Sequence, residues 1–185
     1  MPVSNKAGKK EVRAFLLESF PPEARVLDVG AGSGTYHALL GDYFKNMDAC
    51  EVYAPYIKKY DLEKKYGKVF NQSVVEFQNF DDYDIILFGD VLEHITVDDS
   101  QAILERCKNV KQVMIAVPFE YHQGAAGGVE SERHLQDDLT PELVTERYPG
   151  FEPLYLLKRR SNSKARNSFY SYGYYFRVGT LPEKK

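Results

Sequence analysis

Cysteine is scarce in this sequence: Cys50 and Cys107 are the only two in 185 residues. Two isolated thiols make no disulfide framework and have no metal-type spacing, so a reducing, cytoplasmic setting is expected. Long apolar runs are missing too. No stretch approaches the roughly 18 apolar residues that a membrane span needs. The lysine-rich residues 1–10 have no apolar segment behind them, so no signal peptide is expected. Charge of one sign is not in excess. A formal net charge of −3 argues against a general nucleic-acid or membrane binder, while leaving room for a local basic patch. Repeats and long low-complexity tracts are absent, and the nearest thing to a linker, residues 124–132, is too short to separate two domains. What remains is 43% hydrophobic and 28% charged, an ordinary globular composition. The length makes one domain the natural expectation, with residues 1–8 as a flexible N-terminus and 9–185 as the domain.

The pattern along the chain alternates. Val12, Phe15, Leu16 and Leu17 form a helical stripe over residues 11–20, closed by Pro21-Pro22. Residues 25–29 read as a buried strand, 35–44 as a helix, 49–53 as a strand, 57–66 as a charged helix and 68–72 as a strand. Consecutive Ile85, Ile86, Leu87 and Phe88 mark residues 83–89 as a strand covered on both faces. Thr96 and Asp99 predict a capping box for a helix running to about Lys108. A β-branched strand follows at 112–117, and Thr140-Pro141-Glu142 starts a helix that stops before Pro149-Gly150. Residues 154–158 and 169–178 read as two strands with only a polar loop between them. Alternation predicts a parallel sheet with helices on both faces, and the last pair predicts an antiparallel hairpin at one edge. Ligands in such sheets bind beyond the carboxyl ends of the strands.

The loop after the first strand is Gly30-Ala31-Gly32-Ser33-Gly34. Glycine permits positive φ and lets a ligand approach the backbone with no Cβ in the way. A dinucleotide fingerprint wants its third glycine one place later, at Thr35; here glycine falls at every second position. About twenty residues on, Glu51 ends the second strand, where a carboxylate can accept hydrogen bonds from both hydroxyls of a ribose. Alone, a glutamate there is more often an exposed charge at a strand end; joined to the glycine loop, the ribose reading is favoured.

These residues, with Leu27-Asp28-Val29 before the loop and Asp90-Val91-Leu92-Glu93-His94 after the fourth strand, make the chain resemble a class I S-adenosylmethionine-dependent methyltransferase of the small-molecule type. The resemblance extends over nearly the whole length. It implies an α/β, Rossmann-like, doubly wound and mostly parallel seven-stranded sheet with an antiparallel C-terminal edge hairpin. It implies S-adenosylmethionine as cofactor and S-adenosylhomocysteine as product. Gly30, Ala31 and Gly32, with Asp28 and Gly34 nearby, would pass under the methionine end. Glu51 would hold the ribose, Val52 and Tyr53 would flank the adenine, and Asp90, Val91 and Leu92 would line the methionine pocket. The family often has an aspartate after the third strand to meet the adenine amino group; this chain offers Ser73, followed by Val74.

For the chemistry, holding an acceptor in line with the methyl group can be worth about 7–11 kcal/mol, against roughly 3–5 kcal/mol for a general base. An obvious base is therefore not required. His94 is the first candidate, either as a base or as a structural histidine bonding the loop backbone or capping the next helix. His134, shortly before Thr140-Pro141-Glu142, is either in contact with substrate or a solvated loop histidine. Both lie on the ligand side, and Gly124, Gly127 and Gly128 would let the loop 119–138 act as a lid. His122 in that loop, and Arg159 and Arg160 in the hairpin, are candidates to bind the acceptor, which the basic run Lys158-Arg159-Arg160 suggests is anionic. A metal site from His122, His134, Glu130 and Glu132 would match no standard ligand spacing, and none is expected. The tyrosine-rich run 169–176 reads as packing of the sheet edge. Gly89-Asp90-Val91-Leu92 is not the Asp/Asn-Pro-Pro-aromatic motif of amino-methylating enzymes of nucleic-acid bases, and neither cysteine stands beside a proline as cytosine-C5 methylation requires. The expected activity is methyl transfer to a small acceptor, with a protein partner or a homo-oligomer left open. The alternative is an accessory or sensor protein that binds the cofactor without turnover.

Overall fold

A computed structural model describes residues 7–158 and 170–178. Seven strands lie in one sheet: β1 (Arg25–Val29), β2 (Asn46–Cys50), β3 (Val69–Phe70), β4 (Ile85–Gly89), β5 (Gln112–Pro118), β6 (Phe151–Lys158) and β7 (Tyr170–Arg177). Their order is β3-β2-β1-β4-β5-β7-β6. All neighbours pair in parallel except β7, which runs antiparallel to both β5 and β6. The strand order reverses between β1 and β4, the point beyond whose carboxyl ends such sheets are expected to bind ligands.

Alternate residues of the central strands feed two apolar layers. Leu27, Val29, Ile86, Phe88, Val113 and Ile115 face one layer with Ile103 and Leu104 of α5 (Val97–Arg106) and Val144 of α6 (Pro141–Arg147). Val26, Ile85, Leu87, Met114 and Ala116 face the other, against Val12 and Leu16 of α1 (Lys9–Ser19), Tyr36 and Leu40 of α2 (Thr35–Leu40), Ile57 of α3 (Ala54–Lys59) and Leu62 of α4 (Leu62–Lys65). Burial on both sides explains why β4 reads as an uninterrupted apolar run. Both expected helix starts are capped. Thr96 Oγ1 accepts from the Asp99 N–H at 3.1 Å, and Thr140 Oγ1 from the Leu143 N–H at 3.2 Å.

Boundaries moved where tertiary pairing overrode local pattern. β2 begins at Asn46 rather than 49, because Arg25 to Val29 of β1 pair with Asn46 to Cys50 even though Asn46 and Asp48 are polar. The expected helix over 57–66 is two short helices, broken at Asp61, whose φ of 50° lies in the left-handed region. β6 starts at Phe151 and runs through Pro153; as the sheet's outer strand it tolerates a residue that cannot donate, with a register shift just after it. Because β6 runs parallel to the central strands, it ends at Lys158 on their carboxyl side. Among the described residues no helix is long and apolar enough to cross a membrane.

Candidate active site

The glycine loop turns sharply off β1. Gly30, Gly32 and Gly34 have φ of 64°, 52° and 79°. A Cβ on Gly30 would sit 2.6 Å from Val91 Cγ2, so this glycine also lets the loop close onto the segment after β4. The Gly30 N–H donates to Cys50 O at 2.8 Å, which ties the loop to the end of β2. One residue later stands Glu51, buried, with both carboxylate oxygens engaged. Oε2 accepts from the Gly32 N–H at 2.9 Å and Oε1 from the Tyr53 N–H at 2.8 Å. Asn71 Nδ2 donates to Glu51 O at 2.8 Å and Val52 O at 3.1 Å, fixing the turn beyond. Burial raises the Glu51 carboxyl and its two backbone donors lower it. Two donors leave lone pairs free on each oxygen, the capacity a ribose diol needs. Val52 is exposed, Tyr53 half-buried and Val74 buried, and Ser73 Oγ accepts from the Val75 N–H at 3.2 Å.

Between the loop and β4 lies a set of buried polar groups. Burial pushes the Asp28 carboxyl up to about 7, against a hydrogen bond from the Tyr66 hydroxyl, and its Oδ1 has no partner among the described residues. Asp90, at the end of β4 with φ of 58°, accepts from the Tyr172 hydroxyl at 2.6 Å; its Oδ2 is unpartnered among the described residues and burial pushes the carboxyl up to about 6. A left-handed aspartate here is strain of the kind found at ligand sites. The Tyr36 hydroxyl is buried without a partner among the described residues, and its ring fills the space a Cβ on Gly89 would take, 2.1 Å away. Lys9 reaches in from α1, its Nζ 5.4 Å from the centre of the Tyr36 ring, and its charge draws both aspartates down. Orphaned buried oxygens beside a glycine cradle fit a ligand that brings cationic and hydrogen-bonding groups of its own.

Farther along the same edge, Leu92–His94 form a single 3-10 turn after β4. Glu93 is 1% exposed; burial raises its carboxyl, Asp90 raises it further, and its Oε2 has no partner among the described residues. The rings of His94 and His134 meet edge to face, 4.7 Å between centres. His94 Nδ1 donates to Arg133 O at 3.1 Å and His134 Nδ1 to Tyr121 O at 2.8 Å. Burial, then the neighbouring His134, lowers His94 to about 4, and burial lowers His134 as well. Both imidazoles are therefore neutral near pH 7. The loop between β5 and α6 lies over this end. Its backbone is fixed by Leu135 and Gln136 N–H groups donating to Glu93 O at 2.7 and 3.1 Å. Gln136 Nε2 adds a bond to Leu92 O at 2.8 Å. Glu132, in the same loop, accepts from the Tyr56 hydroxyl and raises Glu51 by its charge.

The structure therefore brings Asp28, Gly30, Ala31, Gly32, Gly34, Glu51 and Asp90 to Leu92 to one edge, with His94 and His134 beside them. His134 is buried rather than solvated, and His94 makes the backbone bond of its structural alternative. His122 is exposed and donates to Asp137 Oδ2 at 2.6 Å, and it is not among the residues whose ligand atoms cluster with His94 and His134. Arg159 and Arg160 lie outside the described residues. Sequence reasoning missed Lys9, Tyr36, Tyr66 and Tyr172, which no local spacing links to the loop, and it gave Glu93 no role although that residue stands in the motif.

A family model described as "Methyltransferase domain" matches residues 5–140. An S-adenosylmethionine-dependent methyltransferase from Clostridium acetobutylicum superposes with a TM-score of 0.68 at 13% identity, over 96% of this chain and 93% of that one. One from Archaeoglobus fulgidus gives 0.60 at 16%, over 91% and 93%. The N-methyltransferase NodS of Bradyrhizobium japonicum gives 0.60 at 10%, over 97% and 99%. At such identities the likeness is one of fold. No curated protein is similar enough in sequence to count as a relative.

Proposed function

The chain belongs to the methyltransferase domain family, as an S-adenosylmethionine-dependent methyltransferase by its fold, and on that premise we propose that it methylates a small, anionic acceptor. The observation that carries the cofactor assignment is Glu51, pinned through both oxygens by the Gly32 and Tyr53 N–H groups at the rim of a positive-φ loop. S-Adenosylmethionine, when bound, supplies a methyl group on a positively charged sulfur. Glu51 accepts the ribose hydroxyls, Val52 and Tyr53 flank the base, and Ser73 and Val74 close its far side. Gly30, Ala31, Gly32 and Gly34 pass under the methionine end. Asp28, Asp90, Val91 and Leu92 line it, and the unpartnered oxygens of the two aspartates face its cationic groups.

His94 and His134 form the acceptor wall. Neither is protonated near pH 7, so each presents a basic nitrogen to the acceptor. His122 contacts the acceptor, and Arg159 and Arg160, which follow Lys158 in the sequence, supply the positive charge for an anion. Two buried free thiols, both pushed up to about 12 by burial, are inert and suit a reducing, cytoplasmic compartment. Residues 9–185 act as one catalytic domain on this reading.

Calorimetry with S-adenosylhomocysteine tests the pocket: one equivalent should bind, and Glu51→Ala should remove it. Release of S-adenosylhomocysteine from a panel of small carboxylates and phosphates then tests the acceptor. Charge reversal at Arg159 and Arg160 that left the acceptor's KM unchanged would refute the anionic assignment.

A further inference from the structure

Glu93, His94 and His134 each present a ligand atom, and these atoms all lie within 4.8 Å of one another. We propose that these three residues bind a divalent transition-metal ion at the acceptor wall, and that the ion holds the acceptor through oxygen. The second half rests on the proposed methyl transfer; the first does not.

The protonation pattern is that of a ligand set. A backbone carbonyl can only accept, so each Nδ1 bonded to Arg133 O or Tyr121 O must carry its proton, and each Nε2 keeps a lone pair. Metal-bound histidines are oriented by that same second hydrogen bond. Glu93 adds a buried carboxylate whose Oε2 no group among the described residues satisfies. Such an oxygen is costly unless a cation meets it. A purely structural role leaves these atoms unexplained. The loop is already attached by the Leu135 and Gln136 N–H groups and by the Gln136 side chain, none of which uses an Nε2 or the Glu93 carboxylate.

Donors around one metal at about 2.0–2.2 Å stand roughly 3–3.5 Å apart. The cluster must therefore draw in by about an ångström, within reach of side-chain rotation. Two imidazoles and one carboxylate suit zinc, cobalt, manganese or iron(II) rather than magnesium or calcium. Three protein ligands leave positions open for the acceptor. A hydroxyl oxygen bound there becomes more acidic. Its proton leaves to water, the oxygen forms the new bond to the methyl carbon, and the carbon–sulfur bond breaks with its electron pair staying on sulfur.

The full chain, stripped with a chelator, is titrated with Co²⁺ and followed by visible absorption, then with Mn²⁺ by paramagnetic resonance. One equivalent should bind, and Glu93→Gln, His94→Asn and His134→Asn should each weaken binding by about tenfold or more. Asparagine places its amide N–H near the position of Nδ1 and lacks Nε2, so the histidine variants keep the loop attachment even if Glu93→Gln fails to fold. Each folded variant should still bind S-adenosylhomocysteine like the parent. A parent chain that binds S-adenosylhomocysteine but no stoichiometric metal overturns the metal site alone, as does equal metal binding by parent and His94→Asn/His134→Asn. Metal binding without S-adenosylhomocysteine binding upholds the site and overturns the methyl-transfer reading.

Discussion

The two ends of the cleft are built differently. At the glycine loop, residues 28–34 and Glu51 come from adjacent strands and are joined by backbone hydrogen bonds. At the proposed acceptor wall, His94 and His134 are forty residues apart and meet through side chains and a long loop. A cradle made of backbone serves any enzyme that takes the same cofactor, whereas a wall made of side chains can change with the acceptor. The first end should therefore govern cofactor binding and fold, and the second should govern what is held opposite the methyl group.

The largest expected effect breaks the comparison at Asp28. Below pH about 4 its carboxyl is neutral in the folded and unfolded chain alike. As the pH rises toward about 7 the unfolded chain ionises while the folded one stays neutral, so stability falls, and the loss is complete above about 7. Moving this carboxyl from 3.8 to about 7 corresponds to roughly 4 kcal/mol at most. Tyr66, Glu51 and Lys9 are the groups that face it. Urea unfolding of the apo protein from pH 4 to 8 should show this slope, and Asp28→Asn should flatten it; parallel curves would refute the assignment.

Next comes Glu51→Ala. Two charge-assisted hydrogen bonds hold the cradle, each worth about 1.5–3 kcal/mol. S-Adenosylhomocysteine affinity should fall by about 100-fold or more, while metal affinity at the other end stays as it was. Gly30→Ala forces a positive φ on alanine and a clash with Val91. It should lower stability by about 2 kcal/mol, read by denaturant midpoint, and weaken cofactor binding with it. Smallest is Thr96→Ala, which uncaps α5 just beyond the acceptor wall. About 1 kcal/mol of stability should go, with cofactor affinity unchanged; a change there would mean the two ends are coupled through that helix.

The unequal legibility of the two ends follows from the same construction. Gly30, Gly32, Gly34 and Glu51 were readable because chain geometry fixes where a residue about twenty places downstream returns. The sheet class was readable from alternation, and the β6–β7 hairpin from the missing helix between two strands. Lys9, Tyr36, Tyr66 and Tyr172 were not, because each enters from a separate element that only packing aligns. Glu93 stood in a quoted motif, yet its burial and its unpartnered oxygen exist only once the loop 133–136 folds over it.

Local chain chemistry thus settled the glycine loop, the carboxylate that meets it and the alternating layers, since positive φ, periodicity and short spacing act within a few residues or one crossover. The folded molecule alone decided which carboxylates lose their water and which histidines face each other. Desolvation and side-chain contact depend on everything that packs around a group, and no spacing along the chain records that.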